Sequence, residues 1–280
     1  MPDCARPDPL TTAAWHASLR LRFADDAGTT RLVERAHHGP LRVQKALYPE
    51  GPRICHAIVV HPPGGVVGGD SLAIDVAAGE RAHAFLTTPG AAKWYRANGH
   101  VSRQQVAIVG GAGAVVEWMP QETIFYNDAS VRLEHRVDLA ADACYIGAEI
   151  LCFGRRASGE TFASGSIAQR TAIRRGGKLL WWEQGVLAGG GAAMGSPLGL
   201  AGASVCATLL AVGAPLPTAL LAALRAQAPA LALSQVKSVF VARYLGDDSE
   251  TARHLLARLW QGVRPHLLGC AAPLPRIWHT

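Results

Sequence analysis

The sequence predicts one mainly β domain over residues 1–280, with a small helical part near its C-terminal end. From Trp15 to about residue 212, short apolar or alternating runs are each closed by Gly, Pro, Asn or Asp, as is typical of β proteins. After Gly213, two runs of good helix formers replace this pattern. No linker-like segment and no repeat of fixed period divides the chain. We therefore expect a β-rich part over about 15–212 and a helical part over about 214–265.

The strand-forming runs are of two kinds. Runs such as "WHASLRLRF", "LAIDVAA" and "SVRLEHRVDL" alternate, and the last of these places His135 on an otherwise apolar face, so each of these strands should have one wet face. The runs "ICHAIVV", "ACYIGAEILCF" and "ASVCATLLAV" are almost continuously apolar, which predicts strands covered on both faces. In "TAIRRGGKLLWWEQGVL", Gly176 and Gly177 can supply the positive φ angles of a tight turn, which predicts a hairpin.

Two helices are predicted in the C-terminal part. "PLPTALLAALRAQAP" is a run of helix formers between prolines and predicts a helix over 216–228. "DDSETARHLLARLWQGV" predicts a helix over 248–263, because its leucines and Trp260 recur on one side. Asp247 precedes Glu250 by three residues, which is the spacing of a capping box. The intervening "VKSVFVARYLG" fits a strand or an extended link.

Composition argues against several functional classes. The chain has 27 Lys+Arg against 21 Asp+Glu, but the cations are dispersed and nearly all arginine, so we do not expect nucleic-acid binding. No run approaches the length of a membrane span, and the first residues lack a basic start followed by an apolar stretch, so we expect a cytosolic protein without membrane contact. We expect the six cysteines to be thiols, with those in apolar runs acting as buried small hydrophobes, namely Cys55, Cys144, Cys152 and Cys206.

The stretch "HPPGGVVGGD", from His61 to Asp70, first suggests a phosphate-binding loop. A P-loop or a dinucleotide-binding fingerprint requires a helix after the glycines, whereas "SLAIDVAA" predicts a strand. The remaining interpretation is a proline-stiffened connection in which the glycines let two backbone segments approach closely. An alternative is a β-fold enzyme that binds a small anionic ligand at this loop. Neither a G-x-S-x-G elbow nor an H-E-x-x-H zinc motif is present in the sequence.

Several polar residues stand in unusual settings. Thr87 and Thr88 end an apolar strand, and Glu122 follows Glu117 across a Trp and a Pro. Glu149 and Glu183 lie inside otherwise apolar strands. A carboxylate in such a strand costs free energy unless it is paired, hydrated or bound to a cation. Internal salt bridges to arginine and a polar interior path for a cation are therefore competing explanations.

Six stretches in order along the chain together resemble the urease accessory protein D family, which is called H in some organisms. They are "HPPGGVVGGD", "TTPGAAKWYR", "EWMPQETIFYNDA", "GRRASGE", "RYLGD" and "RPHLLGCAAPLPRIWHT". The resemblance extends from His61 to Thr280. It implies a mainly β fold with stacked sheets in a distorted helical or sandwich-like arrangement, two helices near the C-terminus, and no catalytic activity.

The resemblance also implies partners and a cargo. Such proteins bind the urease apoprotein on one side and the F-type accessory protein on the other, and a G-type GTPase acts through the F-type protein to deliver nickel. No tightly bound cofactor is expected, only transient Ni²⁺. Carried over by motif, Asp70, Glu149 and Glu183 are candidate ligands along an internal nickel path, and Thr87 and Thr88 are candidate lining residues. His61 and Glu122 lie in the motifs without an assigned role. The last tryptophan, in "RIWHT", is expected to plug the core.

Overall fold

The computed structural model of the protein describes residues 14–279, so Cys4 and the first residues of the chain lie outside it. The strands over this range are β1 (His16–Asp26), β2 (Thr29–His38), β3 (Arg42–Leu47), β4 (Ile54–Val60), β5 (Ser71–Ala78), β6 (His83–Thr87), β7 (Ala92–Trp94), β8 (Ser102–Gly110), β9 (Val115–Met119), β10 (Thr123–Phe125), β11 (Ser130–Leu139), β12 (Cys144–Phe153), β13 (Ser166–Arg175), β14 (Lys178–Ala188), β15 (Val205–Val212), β16 (Ala232–Val236) and β17 (Val239–Gly246). The α-helices are α1 (Ala192–Gly195), α2 (Thr218–Gln227) and α3 (Ser249–Leu268), and short 3₁₀ turns occur at Arg156–Ser158 and Arg276–His279.

The strands form two stacked sheets, which confirms the predicted fold class. The outer sheet has the order β14-β13-β11-β8-β5-β1-β2, and the central sheet has the order β16-β17-β15-β12-β9-β6-β4-β3, with β10 and β7 attached beside β12. In the outer sheet β1, β5, β8, β11 and β13 run parallel, and antiparallel strands close both edges. In the central sheet β4, β6, β9 and β12 run parallel.

The chain passes back and forth between the two sheets, so that successive turns stack as in a β-solenoid. Ile54, His83, Val115 and Cys144 lie one above the next on adjacent central strands. The corners that lead into three of these strands are alike, because the N–H of Ala82, Ala114 and Ala143 each donates to a carbonyl three residues earlier. This stacking brings residues that are far apart in sequence into neighbouring positions along one inter-sheet space.

Two hydrophobic cores explain the two kinds of strand. One core fills the space between the sheets, and the other lies between the central sheet and helices α2 and α3. On β12, Tyr145 and Leu151 face the first core, whereas Ile146 and Ile150 face the second. The continuous apolar runs are therefore strands covered on both faces, as predicted. The alternating run on β11 buries Val131, Leu133, Val137 and Leu139 toward the inter-sheet core.

Most local predictions are confirmed, and one is wrong. Gly176 and Gly177 have φ angles of +55° and +75° between β13 and β14, as the hairpin requires. The N-cap of α3 is Asp248, not Asp247, and its carboxylate accepts from the N–H groups of Glu250 and Thr251. Asp247 instead accepts from the N–H and hydroxyl of Ser204. The predicted helical part also contains β16 and β17, which extend the central sheet.

Candidate functional site: an inter-sheet path

A cavity of about 70 Å³ lies between the sheets around Glu149, and we call it the Glu149 cavity. Its polar lining comes from both sheets and includes Gln104, His135, Tyr145, Glu149, Gln169 and Glu183. A second cavity of about 310 Å³, which we call the Thr88 cavity, lies between His61 and Thr88. The two cavities share four wall residues, which are Gln104, Trp118, Pro120 and Thr123. Because a water needs only about 10–15 Å³ of such space, both cavities can hold water, and we call the two cavities together the inter-sheet path.

Glu149 is the most unusual acid of this path. It lies on β12, and its Oε1 accepts a hydrogen bond from Nε2 of Gln169 on β13 in the opposite sheet. Burial raises the pKa of Glu149 from 4.5 to about 7; the Gln169 bond and Arg243 oppose this rise, and the negative charge of Glu183 adds to it. The carboxyl is therefore poised to exchange its proton near neutral pH.

Glu183 lies at the rim of the Glu149 cavity and has an ion-pair partner. Nη2 of Arg243, on β17, lies 2.8 Å from Oε1 and 2.9 Å from Oε2 of Glu183, on β14. The two side chains are 37% and 41% exposed, so the pair is accessible to solvent. The ion pair thus joins the two sheets at the mouth of the cavity. Sequence reasoning assigned no role to Arg243, although it lies in the stretch "RYLGD".

The Thr88 cavity contains two further candidates. Thr88 Oγ1 donates to the carbonyl of Gly90 and accepts from the N–H of Gln121 at 2.9 Å. His61 lines the same cavity, and burial lowers its pKa, against the opposing effect of the Asp70 charge. A neutral imidazole and a hydroxyl therefore lie at this end of the path, with carboxylates at the other.

Asp70 holds the loop that carries His61. Its Oδ1 accepts from the N–H of Trp15 at 2.9 Å, and its Oδ2 accepts from the N–H of Val67 at 3.1 Å. The partners are backbone amides rather than an arginine, and the side chain is buried. Asp70 as a nickel ligand remains a prediction, and its visible contacts are those of a residue that fixes the loop's shape.

The glycines of the loop allow close backbone approach, as predicted. A Cβ on Gly68 would collide with the carbonyl of Ala97, and one on Gly65 would collide with the ring of Tyr95. The N–H groups of Gly64, Val66 and Val67 donate to oxygen atoms of the loop and of Lys93. Because these amides are occupied and the Asp70 carboxylate is adjacent, the geometry disfavours the alternative of an anion-binding loop.

Thr87 and Glu122 contact the helical side of the central sheet. Thr87 Oγ1 donates to the carbonyl of Met119 at 2.6 Å and accepts from Nε1 of Trp278 at 2.8 Å. Glu122 lies 3.5 Å from Arg253 of α3. Trp278 packs against the core between sheet and helices, as expected for a core plug. The structure therefore separates Thr87 from Thr88, although they are adjacent in sequence.

The acid buried most deeply, Glu117, lies in a closed ionic network. Its carboxylate accepts from Nε1 of Trp260 at 2.7 Å and from Nε and Nη2 of Arg264, and it lies 2.7 Å from Nε2 of His83. Arg264 also binds both carboxylate oxygens of Glu50, at 2.6 and 3.0 Å. Burial opposes both shifts, but His83 and Arg264 lower the pKa of Glu117, and His56, 2.8 Å from Glu50, and Arg264 lower the pKa of Glu50 to about 2. For Glu117, the salt-bridge explanation is correct.

The donors along the inter-sheet path are dispersed. Over residues 14–279 no three side chains of His, Cys, Asp or Glu are grouped as metal ligands. In the same range, no helix is both long and apolar enough to cross a membrane. The path thus offers successive single donors rather than one preformed metal site.

Comparison with known proteins gives a consistent result. The family model described as "UreD urease accessory protein" matches residues 16–279. A protein named urease accessory protein UreD from Janthinobacterium sp. (strain Marseille) is 63% identical over 270 residues, which cover 94% of this chain and 91% of that protein. Proteins of the same name from Nitrosospira multiformis and Pseudomonas aeruginosa (strain UCBPP-PA14) are 53% and 50% identical, covering 94% and 99% of this chain and 97% and 99% of their own.

Proposed function

Because the chain belongs to the UreD urease accessory protein family, we propose that it acts in urease maturation as a scaffold whose inter-sheet path conducts nickel ions. In this proposal nickel is cargo, and the protein is neither a catalyst nor the holder of a resident cofactor. The protein binds the urease apoprotein on one side and the F-type accessory protein on the other. The G-type GTPase acts through the F-type protein, and the complex forms in the cytoplasm.

The observation that carries the proposal is the setting of Glu149. This carboxyl lies between two sheets with a single amide partner, and burial raises its pKa to about 7. A divalent cation beside it would favour the ionised form, so cation entry would displace a proton. Tight structural pairing, as at Glu117, would leave no room for such an exchange.

The chemistry of the lining fits a route better than a storage site. Ni²⁺ is bound by imidazole, carboxylate and water, which are the donors offered by His61, Glu149 and Glu183. A conducting route must bind weakly enough to release its ion, and single donors in succession meet that requirement. At the rim, Arg243 neutralises Glu183 when no cation is present. A passing Ni²⁺ would compete with the guanidinium for this carboxylate.

The proposal is tested by nickel loading of urease in cells that express the accessory proteins with a Glu149→Gln/Glu183→Gln variant. We expect the variant to assemble with both partners but to yield urease with a clearly reduced nickel content per active site. Glu80→Gln is the matched control, because Glu80 forms an exposed ion pair with Arg81 and lines neither cavity. Normal nickel content in the double variant would refute the inter-sheet path.

A second measurement tests the scaffold role separately. Purified apourease, nickel, GTP and the F-type and G-type proteins are combined with or without this chain. We expect GTP-dependent activation only when the chain is present. Equal activation without it would refute the maturation role itself, whatever the outcome for the path.

A further inference from the structure

The outer face of the outer sheet is uncovered in residues 14–279, although five of its strands are parallel. Parallel sheets are usually covered on both faces. The central sheet follows that rule, with a core on each face. Along the outer face, small side chains such as Ala73, Ala107 and Ala168 alternate with charged ones, which leaves a flat surface.

Two arginines on this face are placed unfavourably for the isolated chain. Arg103 on β8 and Arg132 on β11 are directly opposite each other in register, and both are exposed. Like charges in opposed positions on neighbouring strands destabilise a sheet. In the part of the chain that the structure describes, neither guanidinium has an ion-pair partner, because Glu134, two residues along β11, is bound by Arg170. A partner carboxylate would relieve this repulsion.

The same face ends in exposed apolar side chains on the edge strand. Trp182 is 49% exposed and Val186 is 68% exposed on β14. The guanidinium of Arg170 lies over the Trp182 ring, 5.8 Å from its centroid. Tryptophan and arginine are the side chains that most often dominate the binding energy of protein interfaces. The face therefore carries apolar anchors at its β14 edge, two and three strands away from the cationic pair on β11 and β8.

The area of the face suits a folded partner. Seven strands at a spacing of about 4.8 Å and about ten residues of strand length give a surface of about 1,100 Å². A standard interface buries about 800 Å² on each partner, so this face alone is large enough for one stable contact. A short peptide would leave most of it exposed.

We infer that the outer face, around Arg103, Arg132 and Trp182, is the docking surface for an acidic, flat surface of the urease apoprotein. The inference rests on the proposed function. Glu183, at the mouth of the Glu149 cavity, lies on the same edge strand, β14, as Trp182 and Val186, and its partner Arg243 lies on β17. A receiver of nickel that docks on this face would lie beside that mouth.

The test uses Arg132→Glu, which replaces the repulsive pair by an attractive one. If Arg132 served only the fold, this variant would be at least as stable as the wild type and would bind its partners unchanged. We expect a stable protein whose affinity for purified apourease falls about tenfold or more, with a weaker salt dependence. Arg42→Glu on β3 carries the same charge change at the far edge of the other sheet and should bind like the wild type.

The outcomes of these binding measurements test the surface assignment and the proposed function separately. Unchanged affinity of Arg132→Glu for apourease, with wild-type binding intact, would overturn the surface assignment and leave the proposed function standing. Loss of binding only to the F-type protein, or only to double-stranded DNA used as a polyanion, would overturn the assignment to urease. Absence of wild-type binding to both apourease and the F-type protein would refute the proposed function and this inference with it.

Discussion

The two faces of the central sheet treat buried polar groups in opposite ways. Toward α3, Glu117 and Glu50 share the guanidinium of Arg264. A tryptophan and a histidine also bind Glu117, and a second histidine binds Glu50. Toward the outer sheet, Glu149 has one amide partner and a pKa of about 7. The guanidinium of Arg264 already neutralises the first group, so we interpret these acids as structural. Glu149 has no ion-pair partner within the described chain, although the charge of Arg243, which is paired with Glu183, acts on it. This setting suits Glu149 to a cation that arrives and leaves.

The energetics follow from this difference. A buried ion pair contributes little net stability compared with a well-packed apolar core, but removing one partner leaves a buried charge without compensation. Removing Arg264 would leave two such buried charges, those of Glu117 and Glu50. Glu149 becomes neutral by taking up a proton, so the free-energy cost of burying it depends on pH.

The largest expected effect is therefore at Arg264. Arg264→Met removes the cation that both Glu117 and Glu50 share. We expect the free energy of unfolding to fall by about 3–5 kcal/mol, as measured by chemical denaturation, or a failure to fold. Arg243→Met is the matched control at the exposed rim pair and should cost no more than about 1 kcal/mol. Equal losses in the two variants would remove the distinction between the faces.

Neutralising Glu149 should raise the free energy of unfolding at neutral and higher pH, whereas removing Arg264 should lower it. Its pKa is raised from 4.5 to about 7, so the folded protein keeps a proton that the unfolded chain loses in this window. The stability of the wild type is then lowered by on the order of 3 kcal/mol as pH rises from 4.5 through 7. Glu149→Gln retains an acceptor for Gln169 and carries no charge. We expect denaturation to show a more stable variant at pH 8 and little difference at pH 4.5; a stability loss at pH 8 would contradict the assignment.

Much of the fold could be predicted because its signals are local. The alternation on β11, the paired glycines of the β13–β14 hairpin and the proline-bounded α2 helix each lie within one short window. The stacking of the sheets could not be predicted from such patterns. Ile54, His83, Val115 and Cys144 occupy equivalent positions on successive turns but share no residue type. Equivalence here lies in the hydrogen-bond ladder, and its trace in the sequence is a single recurring alanine, at 82, 114 and 143, which is too weak to reveal a repeat.

The candidate site was predictable in its acids but not in their partners. An acid in an apolar strand indicates that some group must compensate its charge, as at Glu149 and Glu183, but the sequence does not identify that group. Gln169 and Arg243 reach them from other strands, and the sequence separation is 20 and 60 residues. Thr87 and Thr88 illustrate a second limit. They are adjacent at the end of one strand but contact opposite sides of the sheet, and the sequence does not say what covers each side.

A smaller effect is expected at Thr87, on the structural side. Thr87→Val keeps the shape of the side chain but leaves Nε1 of Trp278 and the carbonyl of Met119 without this partner. Leaving such groups unsatisfied costs about 1–2 kcal/mol, which denaturation at neutral pH would measure. Nickel content of urease matured with the variant should stay normal, in contrast to variants of the inter-sheet path. Thr88→Val is the matched comparison across the sheet, and a nickel defect confined to Thr87→Val would reverse our placement of the path.

The smallest effect on stability is expected at Glu183, where function should change most. Its ion pair with Arg243 is more than one third exposed on both side chains, and solvent screens such pairs to about 0–1 kcal/mol. Glu183→Gln should therefore leave the free energy of unfolding nearly unchanged while it lowers the nickel content of matured urease. Arg243→Gln frees the Glu183 carboxylate and should not lower it. If both substitutions reduced nickel content equally, the ion pair itself would be the required element. Glu183 would then belong with Glu117 among the structural acids, and the contrast between the two faces would rest on Glu149 alone.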